Sequence, residues 1–156
     1  MSDIIETLAE FIHEQWRCGD WTKEPHLDVP YARLAAGAQE DNRAAARRIP
    51  AVLALAGLGI ARREEASAAR KPSADEITRD VEAQIERLAA AEHEGWMTQR
   101  AKSGWRYGPA RDNAQKLHPF MIAYRDLPEA EKDKDRVVVR SYPSQVRAAG
   151  LEIVRL

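Results

Sequence analysis

Between His93 and Pro119 the sequence reads HEGWMTQRAKSGWRYGPARDNAQKLHP, gathering two histidines, two tryptophans, a tyrosine and three arginines into one run. Imidazoles move protons or ligate metals near neutral pH, indoles stack on flat rings, and guanidinium forks grip carboxylates or phosphates. A second His-Glu-x-Trp string, HEQW, stands at residues 13–16. A zinc-protease helix would need another histidine four residues on; the positions hold Arg17 and Met97, so no metal site is expected. Cys18 has no partner at a telling spacing, no glycine-rich phosphate loop is present, and no loop has the dense carboxylates of a calcium hand. The expectation is a protein that is not an enzyme and uses no cofactor.

What remains is binding. Trp16 and Trp96 hold equivalent positions near the ends of equivalent helices. Two readings stand for them: packed core residues, or two indoles facing one cleft and stacking on a ring between them. His13 and His93, one turn earlier, either fix a neighbouring group by a hydrogen bond or touch a ligand from the cleft wall. In the arm GWRYGPARD, Gly104 and the Gly108-Pro109 turn present Trp105, Tyr107, Arg111 and Asp112. For Arg111 an internal ion pair with Asp112 or Asp135 is expected ahead of a phosphate contact. Lys116 and His118, just before Pro119, are expected to pin the arm down, and Arg43 and Arg136 to form ion pairs with nearby acids.

These residues sit in a chain that is written twice. IIETLAEFIHEQW (4–16) recurs as QIERLAAAEHEGW (84–96), and residues 30–63 lie over 123–156. Tyr31 meets Tyr124, Leu34 meets Leu127, Arg43 meets Arg136, Arg47 meets Arg140 and Pro50 meets Pro143. Each copy predicts a helix with an inward stripe, such as Ile5, Leu8, Ile12 and Trp16, and then a second helical stretch. The helix of the second copy should start at Ser73, with Glu76 completing a capping box, and run toward Lys102. Pro50 and Pro143 predict a break into two short helices in each copy, and Gly57 and Gly150 predict C-terminal caps. LGIARR and LEIVRL alternate apolar and polar residues, which predicts short strands able to pair across the duplication.

The expected fold is therefore mainly α with short β-strands, a tandem pseudo-two-fold duplication of a helix-loop-helix-strand repeat around one core. Its parts are a degenerate first repeat (1–63), a linker with the start of a long helix (64–82), and a complete second repeat (83–156). With 24 basic against 25 acidic residues, there is no positive excess to draw the chain to nucleic acid or an anionic membrane. The N-terminal stretch lacks the features of a secretion signal and no apolar run is long enough to span a bilayer, so a cytoplasmic location is expected.

The second copy resembles the ryanodine receptor repeat domain, from about Ile85 to Leu156. The resemblance is carried by His93, Trp96, the string Gly104-Trp105 with Tyr107-Gly108-Pro109, Arg111-Asp112, Lys116, His118-Pro119, Tyr124, Leu127-Pro128, Lys132 and Asp135-Arg136. The first copy keeps His13, Trp16, Tyr31, Leu34, Asn42 and Arg43 but lacks the arm. The resemblance implies a mainly helical module used in tandem pairs, which form cytoplasmic regulatory lobes in calcium-release channels. Free-standing bacterial and phage-type relatives have been proposed to sense nucleotide-derived signals. It further implies a cleft between repeats that holds an adenine nucleotide or ADP-ribose-type molecule between aromatic rings. On that expectation Trp16 and Trp96 flank the ligand, Trp105, Tyr107 and Arg111 close one side, and the histidines lie nearby. The alternative expectation is a protein-interaction module with no small-molecule ligand.

Overall fold

The computed structural model describes residues 2–156. Among the described residues five α-helices carry most of the chain: α1 (Ser2–Arg17), α2 (Ala36–Ala54), α3 (Ala74–Ala83), α4 (Ile85–Lys102) and α5 (Glu129–Ala148). Four short strands accompany them: β1 (Leu58–Arg62), β2 (Arg106–Tyr107), β3 (Leu117–His118) and β4 (Leu151–Arg155). The fold is mainly helical with short strands. No described helix is long and apolar enough to cross a membrane.

The inward stripes follow the sequence periodicity. Leu8 and Ala9 on α1, and Leu88 and Ala89 on α4, are all fully buried, as are Ala46 and Leu53 on α2 and Val139 and Val146 on α5. Ala89 aside, these side chains join one hydrophobic core drawn from both halves of the chain, which closes on the strands through Leu58, Leu151 and Ile153. Burying each leucine or valine side chain among them contributes about 1.5–3 kcal/mol.

Gly57 and Gly150 take left-handed φ values of 75° and 82°, which turn the chain out of α2 and α5 and into β1 and β4. β1 and β4 pair antiparallel, with Leu58 opposite Arg155 and Ile60 opposite Ile153. Arg155 extends from β4 to Glu76 and Asp80 on α3 at 2.8 and 2.9 Å, tying the sheet to that helix.

Two expectations for the helices are corrected. The helix that starts at Ser73 does not run unbroken to Lys102, because Gln84 leaves helical geometry (φ −120°, ψ 15°). The break re-aims the chain so that Ile77 and Val81 of α3 and Leu88 and Ala89 of α4 all reach the core. The cap itself is as expected, with Ser73 Oγ accepting from the Glu76 amide at 3.1 Å. Pro50 and Pro143, in turn, lie inside single continuous helices. A mid-helix proline costs about 3 kcal/mol. In α2 the buried residues Ile49, Val52 and Leu53, and in α5 Val139, Tyr142 and Val146, flank the proline on both sides and hold the helix together across it.

The arm between α4 and α5 is a small ordered structure of its own. β2 and β3 pair in parallel, and Asp112 bridges to Leu117. Gly108 is required here, since a Cβ on it would sit 2.7 Å from Cβ of Leu117. Lys116 adopts a left-handed φ of 56° and its ammonium donates to the Ser103 carbonyl at 2.8 Å, which fastens the arm to the end of α4.

Candidate functional site

Each half of the chain builds the same small cluster from the same residue types. His13 Nε2 donates to the Val29 carbonyl at 2.7 Å, and His93 Nε2 to the Ile122 carbonyl at 2.8 Å. The imidazoles stack on Trp16 and Trp96 with ring centroids 5.7 and 5.6 Å apart. Tyr31 donates to Glu6 at 3.1 Å and Tyr124 to Glu86 at 2.9 Å. Those two carboxylates are also held by Arg43 and Arg136. Both histidines thus fix the loop that delivers the tyrosine, and both arginines lock helix to helix, as expected of ion-paired residues. Burial and the Glu86 carboxylate push the Tyr124 phenol up to about 12.

One position in the cluster differs. In the second half Asp135 Oδ2 lies 3.3 Å from His93 Nδ1, whereas the sequence register puts Asn42 at that place in the first half. Burial works to lower the His93 pKa, but Asp135 and the Ile122 carbonyl outweigh it, and the net shift is upward. His118 moves the other way, lowered by burial and then by the charges of Arg111 and Arg100. Its Nδ1 accepts from the Phe120 amide at 3.1 Å, which also requires an unprotonated nitrogen there.

The two tryptophans line different pockets. Trp16 borders one of about 210 Å³ with His13, Leu27, Leu34, Ala38, Asp41 and Asn42. Trp96 borders a larger one of about 420 Å³ between the halves. Helices α1 and α2 supply Ile12, Ala45, Arg48 and Ile49 to this central pocket, and α4 supplies Glu92, His93 and Trp96. The arm adds His118 and Phe120, and the opposite side is formed by Leu127 and by residues of α5 that include Glu131, Lys134, Asp135, Val138 and Tyr142. The volume falls within the roughly 300–1,000 Å³ of small-molecule sites, and so does the makeup, apolar and aromatic walls with a few convergent polar groups.

Deep in that pocket a polar set crosses from one half to the other. Arg48 Nε donates to Glu92 Oε1 at 3.1 Å, and the Tyr142 hydroxyl donates to the other oxygen of Glu92. Burial and Glu92 together raise the Tyr142 pKa far above its ordinary value, so the phenol keeps its proton. The helix position beside Glu92 is tailored to this contact, because a Cβ on Gly95 would lie 2.6 Å from Cδ of Arg48.

The family model for the RyR domain matches residues 72–155, more than half of the chain. The chain belongs to the RyR domain family. Its match spans α3, α4, the arm, α5 and β4, so the RyR domain proper contributes Trp96, His93, His118 and Asp135 to the central pocket.

The structure does not bring all the residues singled out from sequence to one place. His93, Trp96 and His118 come together at the central pocket. Trp16 and His13 lie at the smaller pocket, so the expected slot between two indoles is corrected: each indole packs on its own histidine and faces its own cavity. Trp105 stands behind the pocket wall, edge-on to His118 at 6.3 Å, with the Arg100 guanidinium 5.4 Å from its ring and 5.8 Å from that of Trp96. Tyr107 is 56% exposed and does not line the central pocket. Arg111 does not form the expected ion pair, since its Nε donates to Asn113 at 3.1 Å while Asp112 accepts from the Gln115 amide and Asp135 faces His93. Gly108, Pro109 and Lys116 shape the arm as expected of turn and anchor residues. Sequence reading missed Arg48, Glu92 and Tyr142; the one signal for them was that the matching sequence register holds unlike residues, Ser141, Ile12 and Ile49.

Proposed function

We propose that this chain is a tandem pair of RyR-type repeats (residues 1–63 and 83–156) that serves as a non-catalytic binding module in the cytoplasm, sensing a small molecule that carries a flat ring. The ligand class that fits best is an adenine-containing nucleotide or ADP-ribose-type signal with its base in the central pocket. The tandem reading is supported by the matched histidine, tryptophan, tyrosine and arginine contacts of the two halves, made through paired glutamates.

The observation that carries the binding reading is the central pocket itself. It is bounded by both halves, walled on one side by Trp96, His118 and Phe120, and floored by the Arg48–Glu92–Tyr142 set. Aromatic walls favour a flat ring, each stacked contact being worth about 1–3 kcal/mol. The smaller pocket at Trp16 has half the volume and a ring of smaller side chains, which favours the RyR-matched half as the receiving side.

The test is a titration of the purified protein with ATP, ADP, ADP-ribose and cyclic ADP-ribose, following tryptophan fluorescence and melting temperature together. Saturable quenching with a rise in melting temperature supports the reading, because a ligand bound only by the native state stabilises it. No response to any of the four overturns it and leaves the protein-interaction module as the function to pursue.

A further inference from the structure

The central pocket holds three carboxylates, and they are not equally available. Both oxygens of Glu92 are taken, one by Arg48 and the other by Tyr142. Glu131 Oε1 accepts from the Lys134 ammonium at 2.8 Å. Asp135 is different: its only charged neighbour among the described residues is His93, which approaches one oxygen, Oδ2, at 3.3 Å. Its side chain is 19% exposed, and it lines the pocket. His93 is fixed from both sides, by the Ile122 carbonyl at Nε2 and Asp135 at Nδ1, so the carboxylate is positioned by a ring that cannot swing away without losing two contacts.

A positioned carboxylate with a spare oxygen accepts hydrogen bonds and offers none. Beside the aromatic wall of Trp96 and Phe120 it would face the edge of a ring stacked there. An exocyclic amino group satisfies it, whereas a ring carbonyl at the same place sets two acceptors against each other and leaves both desolvated. The first half has Asn42 at the matching register, and an amide can turn either its oxygen or its nitrogen to a ligand.

Resting on the base-binding reading above, we propose that Asp135 is the specificity-determining residue of the central pocket and selects rings with an amino edge, adenine or cytosine, over their carbonyl counterparts. His93 acts through Asp135 as a positioning residue.

The test compares adenosine with inosine, which differ at that edge, by calorimetric titration of the full chain and of D135N. Wild type is expected to bind adenosine at least about tenfold more tightly, the difference a charged hydrogen bond makes against an unpaired acceptor. D135N is expected to bind the two within about threefold while keeping its cooperative melt. Equal wild-type binding, or a preference that D135N retains, overturns the role of Asp135 and leaves the pocket's taste for flat rings standing. Binding of neither nucleoside, nor of any of the four nucleotides, overturns both. The wild-type ratio does not depend on the variant folding. A ¹³C carboxyl shift of Asp135 on adding adenosine, but not inosine, assigns the effect to this side chain, and its absence overturns the assignment.

Discussion

Arg48 on α2 and Glu92 on α4 meet at 3.1 Å across the boundary between the two halves, with Glu92 almost fully buried and its second oxygen held by Tyr142. A buried carboxylate that loses one partner keeps its desolvation cost and forfeits the compensating attraction. Arg48→Ala is therefore expected to destabilise the chain by about 3 kcal/mol, near the low end for a broken buried pair because Arg48 itself is partly exposed. Glu92→Gln should cost less, and the Arg48→Ala/Glu92→Gln double variant less than the sum of the two. Urea unfolding of the four proteins gives the coupling; additivity within about 0.5 kcal/mol would show that the contact does not join the halves.

Gly95→Ala tests the same contact from its other side. Alanine is favoured over glycine in a helix by about 1 kcal/mol. Here the new Cβ would meet the Arg48 side chain at 2.6 Å and push it off Glu92. The substitution is expected to destabilise the wild-type chain and to stabilise the Arg48→Ala chain by about 0.5–1 kcal/mol, a reversal of sign readable from melting curves.

The two pocket histidines should titrate on opposite sides of about 6.5, the ordinary histidine value. His93 is raised in the folded state, burial being outweighed by Asp135, so its contribution to stability is complete below the unfolded pKa and fades as pH rises through the folded one. His118 is lowered by burial and by Arg111 and Arg100, so its neutral form is the one the fold prefers, and stability is lost as pH falls below the unfolded value. Histidine NMR titration reads both directly. Asp135→Asn should bring the His93 value down and leave His118 near where it was.

Trp96→Ala should weaken nucleotide binding by about 1–3 kcal/mol, roughly five- to 150-fold, while Trp16→Ala leaves it within about threefold. Both indoles are half-buried and stacked on a histidine, so melting temperatures are needed to separate binding from folding. Equal losses from the two substitutions would return the ligand to a site shared by both tryptophans.

The parts of this fold that sequence reveals are the parts that are repeated. Tyr31 with Tyr124, Arg43 with Arg136 and Gly57 with Gly150 announce themselves by recurrence, and each pair makes matching contacts or adopts matching backbone. The central pocket depends instead on what is not repeated. Arg48, Glu92 and Tyr142 stand tens of residues apart and have no counterparts of like type, so neither periodicity nor duplication points to them. Trp16 and Trp96 make a related point: equivalent positions share an environment, which is not the same as facing one another. Pro50 does not end its helix because propensity is local, while the burial of Ile49 and Leu53 on either side of it is decided by the whole core.

The pairing of β1 with β4 sets a timetable for folding. Leu58 finds its partner only at Arg155, so the strand closing the first half waits for nearly the whole second half to leave the ribosome. During that interval α1 and α2 can associate locally, but Leu58 and Ile60 lie on an unpaired edge. Pairing at so long a sequence separation carries a larger loop-closure cost than the local packing of α1 on α2, and topologies of this kind fold more slowly than purely local ones.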